Sequence, residues 1–341
     1  MLDKPITVEV FKELRPNLEV HDISGWSKDE WLAFRMRGLG ASEIGTMMGV
    51  NNFEEPAILW AKKLGIIPSG ISDNIAMLMG RLLEKPVSEM WEFYDVEAAN
   101  WEAMAANVEA KRKVRLLYKP EMYVVNPKYP WLFASCDGLF YKDEDIAGTE
   151  IKTISGFAAE KYIGGVPISY VYQIYTYMIV FDVDYWEIAI LKDGRNFEVI
   201  PFERNENIVN TIIERSKEFW ENIVESRQAL LNEDRAKLDS LEPLPTDTEI
   251  YESYLHERFR SSHKSTSKEA TPGIIKSVIA YDKWRTKAAE IEAKKLLHSN
   301  KIKRFLAENE ELIGVDGFTV NWREGARGRN FRVTPKKDKD E

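Results

Sequence analysis

Apolar residues recur along this chain with two periods, and the alternation of these periods predicts a layered α/β core. Residues 118–153 carry short apolar runs with the two-residue period of β-strands, which predicts three strands. Ile168–Phe181 predicts a helix, and residues 205–238 predict a long helix that is charged on its outer side. Between these helices, the runs 185–191 and 197–202 flank a Gly-containing turn and predict a β-hairpin.

Two helical regions precede the strands. Residues 28–49 predict a helix, a Gly-Leu-Gly turn and a second helix that has Ser42 as its N-cap and ends at Gly49. Residues 73–94 predict a helix that Pro86 kinks or bounds. The apolar positions of this helix form one stripe, with Glu84 among them, and consist of Ile75, Leu78, Met79, Leu82 and Leu83.

Two prolines shortly after Leu241 break the helical pattern and predict a domain boundary. The first predicted domain spans residues 1–240, and a smaller unit spans residues 241–341. This second unit contains a helical stretch over residues 276–308, followed by two alternating segments around a Gly- and Arg-rich turn. It is therefore expected to form a small α+β extension.

The composition is that of a folded protein without a membrane span. Of the 341 residues, 44% are hydrophobic and 11% are aromatic, which favours a globule over disorder. No run approaches 18 uncharged apolar residues, and the N-terminus lacks a signal-peptide pattern, so a cytosolic location is expected. Cys136 is the single cysteine, which excludes internal disulfides and a cluster ligated by several cysteines of this chain. The four histidines are too scattered for a zinc site or a His-based triad.

Two carboxylates and a lysine form the candidate catalytic set. Asp137 lies 13 residues before Glu150, and Lys152 follows Glu150 after one intervening residue. Alternation puts Glu150 and Lys152 on one strand face, and an antiparallel pairing would bring Asp137 beside them. Hard cations take oxygen ligands and lower the pKa of bound water, which an ammonium can orient, so the set suits phosphodiester cleavage. A solvated strand face with Glu and Lys at i and i+2 is the alternative explanation of this spacing.

Five sequence blocks in a fixed order give the chain a family resemblance. They are Trp31-x3-Arg35-x-Arg37-Gly38-Leu39-Gly40-Ala41-Ser42-Glu43, Met79-Gly80-Arg81-Leu82-Leu83-Glu84, Ser135-Cys136-Asp137-Gly138, Glu150-Ile151-Lys152 and Tyr170-Val171-Tyr172-Gln173. On these blocks the chain resembles the lambda-exonuclease or YqaJ-type viral recombinase branch of the PD-(D/E)xK nucleases, over roughly residues 25–225. Many members carry Q-x-Q where this chain has Gln173-Ile174-Tyr175, so the resemblance implies no role for a second glutamine.

The resemblance implies a restriction-endonuclease-like core in which helices flank a central mixed β-sheet. It also implies a site for two Mg²⁺ ions, with Mn²⁺ as a substitute. The expected ligands are Asp137, Glu150, Glu84 and the backbone carbonyl of Ile151. Lys152 is expected to position or activate the attacking water, and Gln173 to help orient it.

Arg35 and Ser42 are implied by the resemblance to contact the 5′-terminal phosphate of the degraded strand. A guanidinium and the amides of a helix start suit a phosphate. From the residues alone, Ser42 is equally explained as a plain N-cap.

The function implied is a Mg²⁺-dependent 5′–3′ exonuclease that resects linear double-stranded DNA. It would leave 3′ single strands for phage-type homologous recombination in the bacterial or phage-infected host cytosol. The expected partners are DNA ends, a single-strand annealing protein and further copies of the chain in a ring, which by resemblance to the family would be a trimer.

Two alternative functions stay open. An endonuclease would share the core residues and differ in how DNA enters the site. A non-catalytic protein that binds DNA ends or a recombination partner would need no complete acid and lysine set. The net charge of −9 argues against indiscriminate coating of duplex DNA. The second unit would either guide DNA or dock a partner through its arginines, which include Arg323, Arg327, Arg329 and Arg332.

Overall fold

The computed structural model divides the chain into two compact units, Met1–Ser261 and Ser262–Glu341. The residues that the structure describes are 4–69, 75–95, 101–154, 166–261, 267–326 and 328–336. The helices of the first unit are α1 (Val8–Leu14), α2 (Lys28–Arg35), α3 (Ile44–Met47), α4 (Pro56–Lys63), α5 (Ile75–Phe93), α6 (Trp101–Glu109), α7 (Ile168–Phe181), α8 (Glu206–Leu231), α9 (Arg235–Leu241) and α10 (Glu249–Arg258). Its strands are β1 (Glu19–Asp22), β2 (Leu39–Gly40), β3 (Met122–Val125), β4 (Leu132–Ala134), β5 (Gly138–Lys142), β6 (Asp145–Ile154), β7 (Tyr185–Lys192) and β8 (Asn196–Glu203).

The central sheet has the order β5-β6-β7-β8 and is mixed. Strands β6 and β7 are parallel, whereas β5 with β6 and β7 with β8 are antiparallel. The expected α/β class with helices around a mixed sheet is therefore confirmed. The hairpin prediction is confirmed as well, since Asp193 and Gly194 both adopt positive φ in its turn. The prediction of three strands over residues 118–153 was wrong, because this stretch forms four.

Helices pack on both faces of the central sheet. On one face, Trp186, Ile188 and Ile190 pack in the same apolar cluster as the buried residues of α7. On the other face, Ala189 and Leu191 pack in a cluster that contains residues of α5. Successive residues of β7 thus point alternately towards α7 and α5, as a strand buried on both faces requires.

Helix α5 departs from its prediction in two respects. Pro86 lies inside the helix and neither ends nor starts it. The buried positions are in its second half, at Val87 and Trp91, while Ile75 is 73% exposed and Leu82 is 61% exposed. A helical period identifies an apolar face but does not show which turns of that face meet a partner, so the predicted buried stripe was wrong for the first half. Residues 73 and 74 of the predicted helix lie outside the described residues.

A second sheet, with the order β1-β3-β4-β2, supports the region around the first two helices. Its short strand β2 runs parallel to β4, with Leu39 opposite Leu132. Gly38 precedes it, and a Cβ at Gly38 would lie 2.7 Å from the carbonyl oxygen of Trp131. The close approach of these two backbones explains the glycine at this position.

The domain boundary lies later than predicted. Helix α9 spans the predicted boundary at residue 240 and helix α10 follows it, but both belong to the first unit. Tyr251 and Tyr254 of α10 are buried in one apolar cluster with Trp60 of α4. The hydroxyl of Thr246 donates to Glu55 Oε2 at 2.6 Å. The prolines therefore end a helix without ending the unit, because the chain beyond them packs back on α4.

The second unit contains helix α11 (Pro272–Leu306) and a three-stranded sheet of β9 (Glu311–Leu312), β10 (Phe318–Gly325) and β11 (Gly328–Pro335). Thr271 caps α11 through its side chain, and Pro272 occupies the first helical turn, where a missing N–H costs nothing. The predicted helix and the predicted pair of strands are confirmed. Among the described helices of the chain, none combines the length and the apolar character needed to cross a bilayer.

Two truncated proteins test the revised boundary. A protein that ends at Ser261 is expected to stay soluble and to melt cooperatively, because it retains α10. A protein that ends at Thr248 loses Tyr251 and Tyr254 and is expected to lose on the order of 5 kcal/mol of stability, as loss of large buried side chains does. Thermal melts of both proteins check this expectation, and equal melting temperatures would show that α10 is dispensable.

Candidate active site

Asp137 lies between strands β4 and β5, at the start of the antiparallel pair that β5 forms with β6. Gly138 is paired with Thr149, so the next residue pair sets Asp137 opposite Glu150. Oδ2 of Asp137 accepts a hydrogen bond of 2.7 Å from the backbone N–H of Ile151. The antiparallel pairing expected from the sequence thus exists and brings Asp137 to the residues that surround Glu150.

Glu150 is 2% exposed and receives three side-chain donors. Lys152 Nζ and Gln173 Nε2 both donate to Oε1, the latter at 2.7 Å, and Tyr177 Oη donates to Oε2 at 2.7 Å. A buried carboxylate is tolerated when it is paired and hydrogen-bonded in this way. A carboxylate has about four lone-pair sites, so three donors leave it able to accept one more contact, such as a cation.

Lys152 lies on the same face of β6 as Glu150, as the alternation predicted. Its Nζ also lies 5.1 Å from the centroid of the Tyr170 ring. Burial acts to lower the pKa of Lys152, but the carboxylates of Glu150 and Asp137 outweigh it and raise that pKa. Lys152 is therefore an ammonium at neutral pH, close to both carboxyl groups.

Among these side chains, Asp137 is the one whose ionised form is destabilised. Burial, followed by repulsion from the Glu150 carboxylate, raises the pKa of Asp137 to about 8, although Lys152 and the N–H of Ile151 act in the opposite direction. The neighbouring Cys136 thiol also has a raised pKa, through burial and then through Asp137. A protonated thiol is a poor nucleophile, which argues against Cys136 as a catalytic nucleophile.

Gln173 and Tyr177 lie one turn apart on α7 and form one unit with Glu150. Gln173 Nε2 is 2.8 Å from Tyr177 Oη, and the Tyr177 ring stacks on Trp186 at a centroid distance of 4.8 Å. Burial, followed by the Glu150 charge, raises the pKa of Tyr177, so its hydroxyl remains a neutral donor. Tyr177 was not among the site residues predicted from the sequence. Its i+4 spacing from Gln173 was the signal that could have identified it.

Glu84 is not assembled with the other two carboxylates. It lies on α5 with its side chain 42% exposed, and its Oε1 is 3.0 Å from Lys119 Nζ. Its charge still contributes to the raised pKa of Asp137. Within the part of the chain that the structure describes, no group of three His, Cys, Asp or Glu side chains is arranged to hold a metal ion. The oxygen donors Asp137 and Glu150 fit a hard cation in chemistry, and they form a pair rather than a complete cage.

Arg35 belongs to a second polar cluster, together with Glu43 and Lys63. Arg35 Nη2 donates to Glu43 Oε1 at 2.6 Å, and Lys63 Nζ lies 2.8 Å from Glu43 Oε2. Burial acts to raise the pKa of Glu43, but Lys63 and Arg35 together lower it, so this carboxylate stays charged. Arg35 also lies over the Trp31 ring, at 4.8 Å from its centroid. The sequence analysis assigned no role to Glu43 or Lys63, which are 20 residues apart and meet only in the fold.

Ser42 is exposed and lies inside a short 3₁₀ turn, Ala41–Glu43, that precedes α3. The N-cap of this turn is Gly40, and the N-cap of α3 is Glu43. The prediction that Ser42 caps a helix was therefore wrong, because the chain enters the helix through a tighter turn. The predicted end of this region at Gly49 is confirmed by its φ of +71°. The segment packs against α7, since a Cβ at Gly45 would lie 2.6 Å from Cβ of Ser169.

Comparison with known proteins finds a family model that matches part of this chain. Residues 30–184 match the model of the YqaJ-like viral recombinase domain. The chain is 24% identical over 290 residues to the protein YqaJ of Bacillus subtilis (strain 168), covering 84% of this chain and 81% of that protein.

Two solved structures are also similar. An alkaline exonuclease, LHK-Exo, from Laribacter hongkongensis has 19% identity, covers 62% of this chain and 100% of its own, and has a TM-score of 0.45. A phage-related exonuclease from Haemophilus somnus 129PT has 11% identity, covers 57% of this chain and 98% of its own, and has a TM-score of 0.37.

The raised pKa of Asp137 makes stability depend on pH in the absence of divalent cations. In the unfolded chain an aspartate ionises near pH 4, whereas Asp137 in the folded chain ionises near pH 8. Between these values the folded state binds more protons, so this contribution to stability is full below about pH 4 and is lost as the pH rises towards about 8. We expect Asp137→Asn to melt progressively higher than the wild type as the pH increases over this range.

Melting temperatures in EDTA from about pH 5 to about pH 8 measure this difference. Asp143→Asn serves as the control, because Asp143 lies in the adjacent turn with its side chain 87% exposed. A difference between Asp137→Asn and the wild type that does not change with pH would show that Asp137 ionises normally.

Proposed function

We propose that the chain is a metal-dependent DNA exonuclease, because residues 30–184 match the model of the YqaJ-like viral recombinase domain. The observation that carries this proposal is the Glu150 carboxylate, held by Lys152, Gln173 and Tyr177 beside Asp137. Three side-chain donors on one buried acid fix its orientation closely, which a site for chemistry requires. A merely solvated strand face would need none of them.

Asp137 and Glu150 are the proposed ligands of Mg²⁺, with Mn²⁺ as a substitute. The Ile151 carbonyl is a further proposed ligand, because the N–H of the same residue already holds Asp137. A bound divalent cation lowers the pKa of its water and stabilises charge on a phosphate. Glu84 is proposed as a third acid for a second ion, since its charge acts on Asp137 although its side chain pairs with Lys119.

Lys152 is proposed to hold the attacking water and to offset negative charge on the scissile phosphate. It remains charged at neutral pH because two carboxylates raise its pKa. Gln173 is proposed to act through Glu150, whose Oε1 it fixes, and it is thus a positioning residue. Tyr177 supports the other oxygen of the same carboxylate.

Degradation from 5′ to 3′ on linear duplex DNA is the proposed polarity, with Arg35 and Ser42 at the 5′-terminal phosphate. Arg35 bonds to Glu43 and to the Tyr123 hydroxyl, and the remaining N–H groups of its five are the ones proposed to bind a phosphate. Lys63 adds a second cation to the cluster, so its charge stays net positive when Glu43 is ionised. The 3′ single strand so produced is the proposed substrate of an annealing protein, and a ring of copies around DNA is the proposed assembly.

Cleavage assays on linear and covalently closed circular duplex test the activity. With Mg²⁺ we expect the linear DNA to be degraded and the circle to survive, and we expect EDTA to abolish degradation.

Asp137→Asn and Glu150→Gln are each expected to lower the turnover at least about 100-fold, because each removes an oxygen ligand. Lys152→Arg is expected not to restore the activity lost in Lys152→Ala, because a planar fork replaces a compact charge.

Glu187→Gln is the matched control for these variants. Glu187 is also a buried carboxylate, on the neighbouring strand β7, but it bonds to Trp91 and Arg115 on the α5 side of the sheet. The Glu187→Gln variant should melt at a lower temperature than the wild type but should still degrade linear DNA. Cleavage of the circle would assign an endonuclease, and no cleavage of either DNA would assign a binding protein.

The phosphate pocket predicts a preference among DNA ends. We expect a duplex with a 5′-phosphate to be resected faster than the same duplex with a 5′-hydroxyl, since a terminal phosphate carries additional charge for Arg35. Arg35→Ala should remove this preference and leave slow cleavage of 5′-hydroxyl ends.

Arg204→Ala is the control, because Arg204 is similarly covered, with its side chain 18% exposed, and is likewise ion-paired, to Glu206 at 2.6 Å. Resection rates from end-labelled duplexes report the preference. Equal rates on both ends in the wild-type protein would refute the pocket, and earlier loss of a 3′-end label would refute the polarity.

A further inference from the structure

The second unit carries a net positive charge in an acidic protein. Residues 262–341 contain 18 Lys and Arg against 12 Asp and Glu, whereas residues 1–261 contain 29 against 44. Half of these basic residues lie on α11, which has nine basic and three acidic residues in Pro272–Leu306. A basic helix of this kind is an electrostatic footprint for a polyanion.

Five lysines of α11 lie on one side of the helix, and we name them the lysine stripe: Lys276, Lys283, Lys287, Lys294 and Lys301. Their spacings of 7, 4, 7 and 7 residues keep all five within about 40° around the axis at about 100° per residue. The stripe extends over about 38 Å of helix at about 1.5 Å per residue. All five lysines are exposed.

The lysine stripe is not neutralised by acidic neighbours. Ion pairs on α11 lie off the stripe, where Arg285 meets Asp282 at 2.6 Å and Lys295 meets Glu292 at 3.1 Å. Within the described part of the chain, the stripe lysines form no ion pair. Glu290 alone among the three acids of this helix is placed near the stripe, at its edge. On an ordinary solvated helix face, each Lys has a Glu three or four residues away. Glu290 has this spacing to Lys287 and Lys294 only, so the stripe keeps a net positive charge that an anionic partner would neutralise.

An exposed aromatic ring borders the stripe. Trp284 is 63% exposed, and Lys287 Nζ lies 4.9 Å from its ring centroid. Basic residues that follow a phosphate backbone, combined with aromatic rings on which bases stack, are the means by which proteins hold single-stranded nucleic acid. A duplex backbone spirals away from a straight row of charges, whereas a flexible single strand can follow it.

Two of the four arginines that the sequence suggested for this role, Arg323 and Arg329, make other contacts. Arg329 donates to the backbone carbonyls of Trp322 and Ala307, and its guanidinium lies 3.8 Å from the Trp322 ring centroid. Arg323 pairs with Glu311 at 3.1 Å. Arg327 lies outside the described residues. These contacts leave the lysine stripe as the stronger basic surface of the second unit.

We propose that the lysine stripe of α11 binds single-stranded DNA. This inference rests on the proposed function insofar as resection would supply the strand. The stripe would hold the strand that is spared and keep it away from the re-forming duplex.

Fluorescence anisotropy with the full-length chain tests the stripe, using labelled single-stranded and duplex oligonucleotides in EDTA so that nothing is cleaved. The stripe variant carries Lys283→Gln, Lys287→Gln and Lys294→Gln. The control variant carries Arg285→Gln, Lys295→Gln and Arg304→Gln, which remove the same charge from other sides of the same helix. Circular dichroism verifies that both variants retain the helix.

The stripe variant should bind the single strand at least about tenfold more weakly at low salt. The slope of log K against log salt should fall by about 2, since each lost phosphate contact on a single strand contributes about 0.7. The control variant should change neither value by as much as half of these amounts.

Equal losses in the two variants would refute the stripe and show a general charge effect. Unchanged binding, a larger loss on duplex, or binding of the wild type to anionic lipid vesicles that the stripe variant loses while DNA binding persists would each overturn the proposal. Nuclease activity is measured separately with Mg²⁺. A stripe-dependent interaction without cleavage would therefore reject the proposed function and leave the stripe in place.

Discussion

The buried carboxylate of Glu150 is the constraint on which the rest of the first unit depends. An acid that is 2% exposed stays charged only if donors surround it, and its donors come from two elements, Lys152 from β6 and Gln173 with Tyr177 from α7. Helix α7 can therefore donate both of its hydrogen bonds to this carboxylate from only one position on the sheet. A slip by one residue would leave the charge without two of its donors, at a cost of several kcal/mol. The same contacts that fix the fold also fix the candidate metal ligand.

Asp137 lies opposite Glu150 across the β5–β6 pair, and its ionised form is destabilised. Its pKa is raised to about 8 because it is buried beside the Glu150 charge. The fold thus satisfies one carboxylate and leaves the next one in an unfavourable state, which is what an interior designed for stability alone would avoid. Divalent cations relieve such repulsion, so perturbed acids of this kind cluster at functional sites. The raised pKa of Asp137 therefore agrees with the cation proposed at this position.

The sequence predicted those features that depend on local periodicity. Ile168–Phe181 was predicted to be helical, and this helix is observed with the same bounds, because its apolar run and the residues around it specify it locally. The shared face of Glu150 and Lys152 followed from strand alternation. Contacts between distant residues could not be predicted in this way. Lys63 reaches Glu43 across 20 residues, and Tyr251 returns to Trp60 after two prolines had suggested a boundary. Helix α5 has the apolar period of a buried helix along its whole length. Among the described residues, however, other elements cover only the second half of this helix.

The distribution of charge, rather than its sum, decides how an acidic chain can act on DNA. The net charge of −9 combines an acidic unit, which holds the carboxylates proposed for the metal, with a basic one. Exposed charges separated by more than about 8 Å are largely screened at physiological salt, so the net charge of the whole chain does not determine the local field along a row of lysines. Acids concentrated at the proposed cation site, and lysines concentrated along α11, give each unit its own electrostatic behaviour. The overall sign of the charge therefore excludes indiscriminate binding without excluding a nucleic-acid substrate.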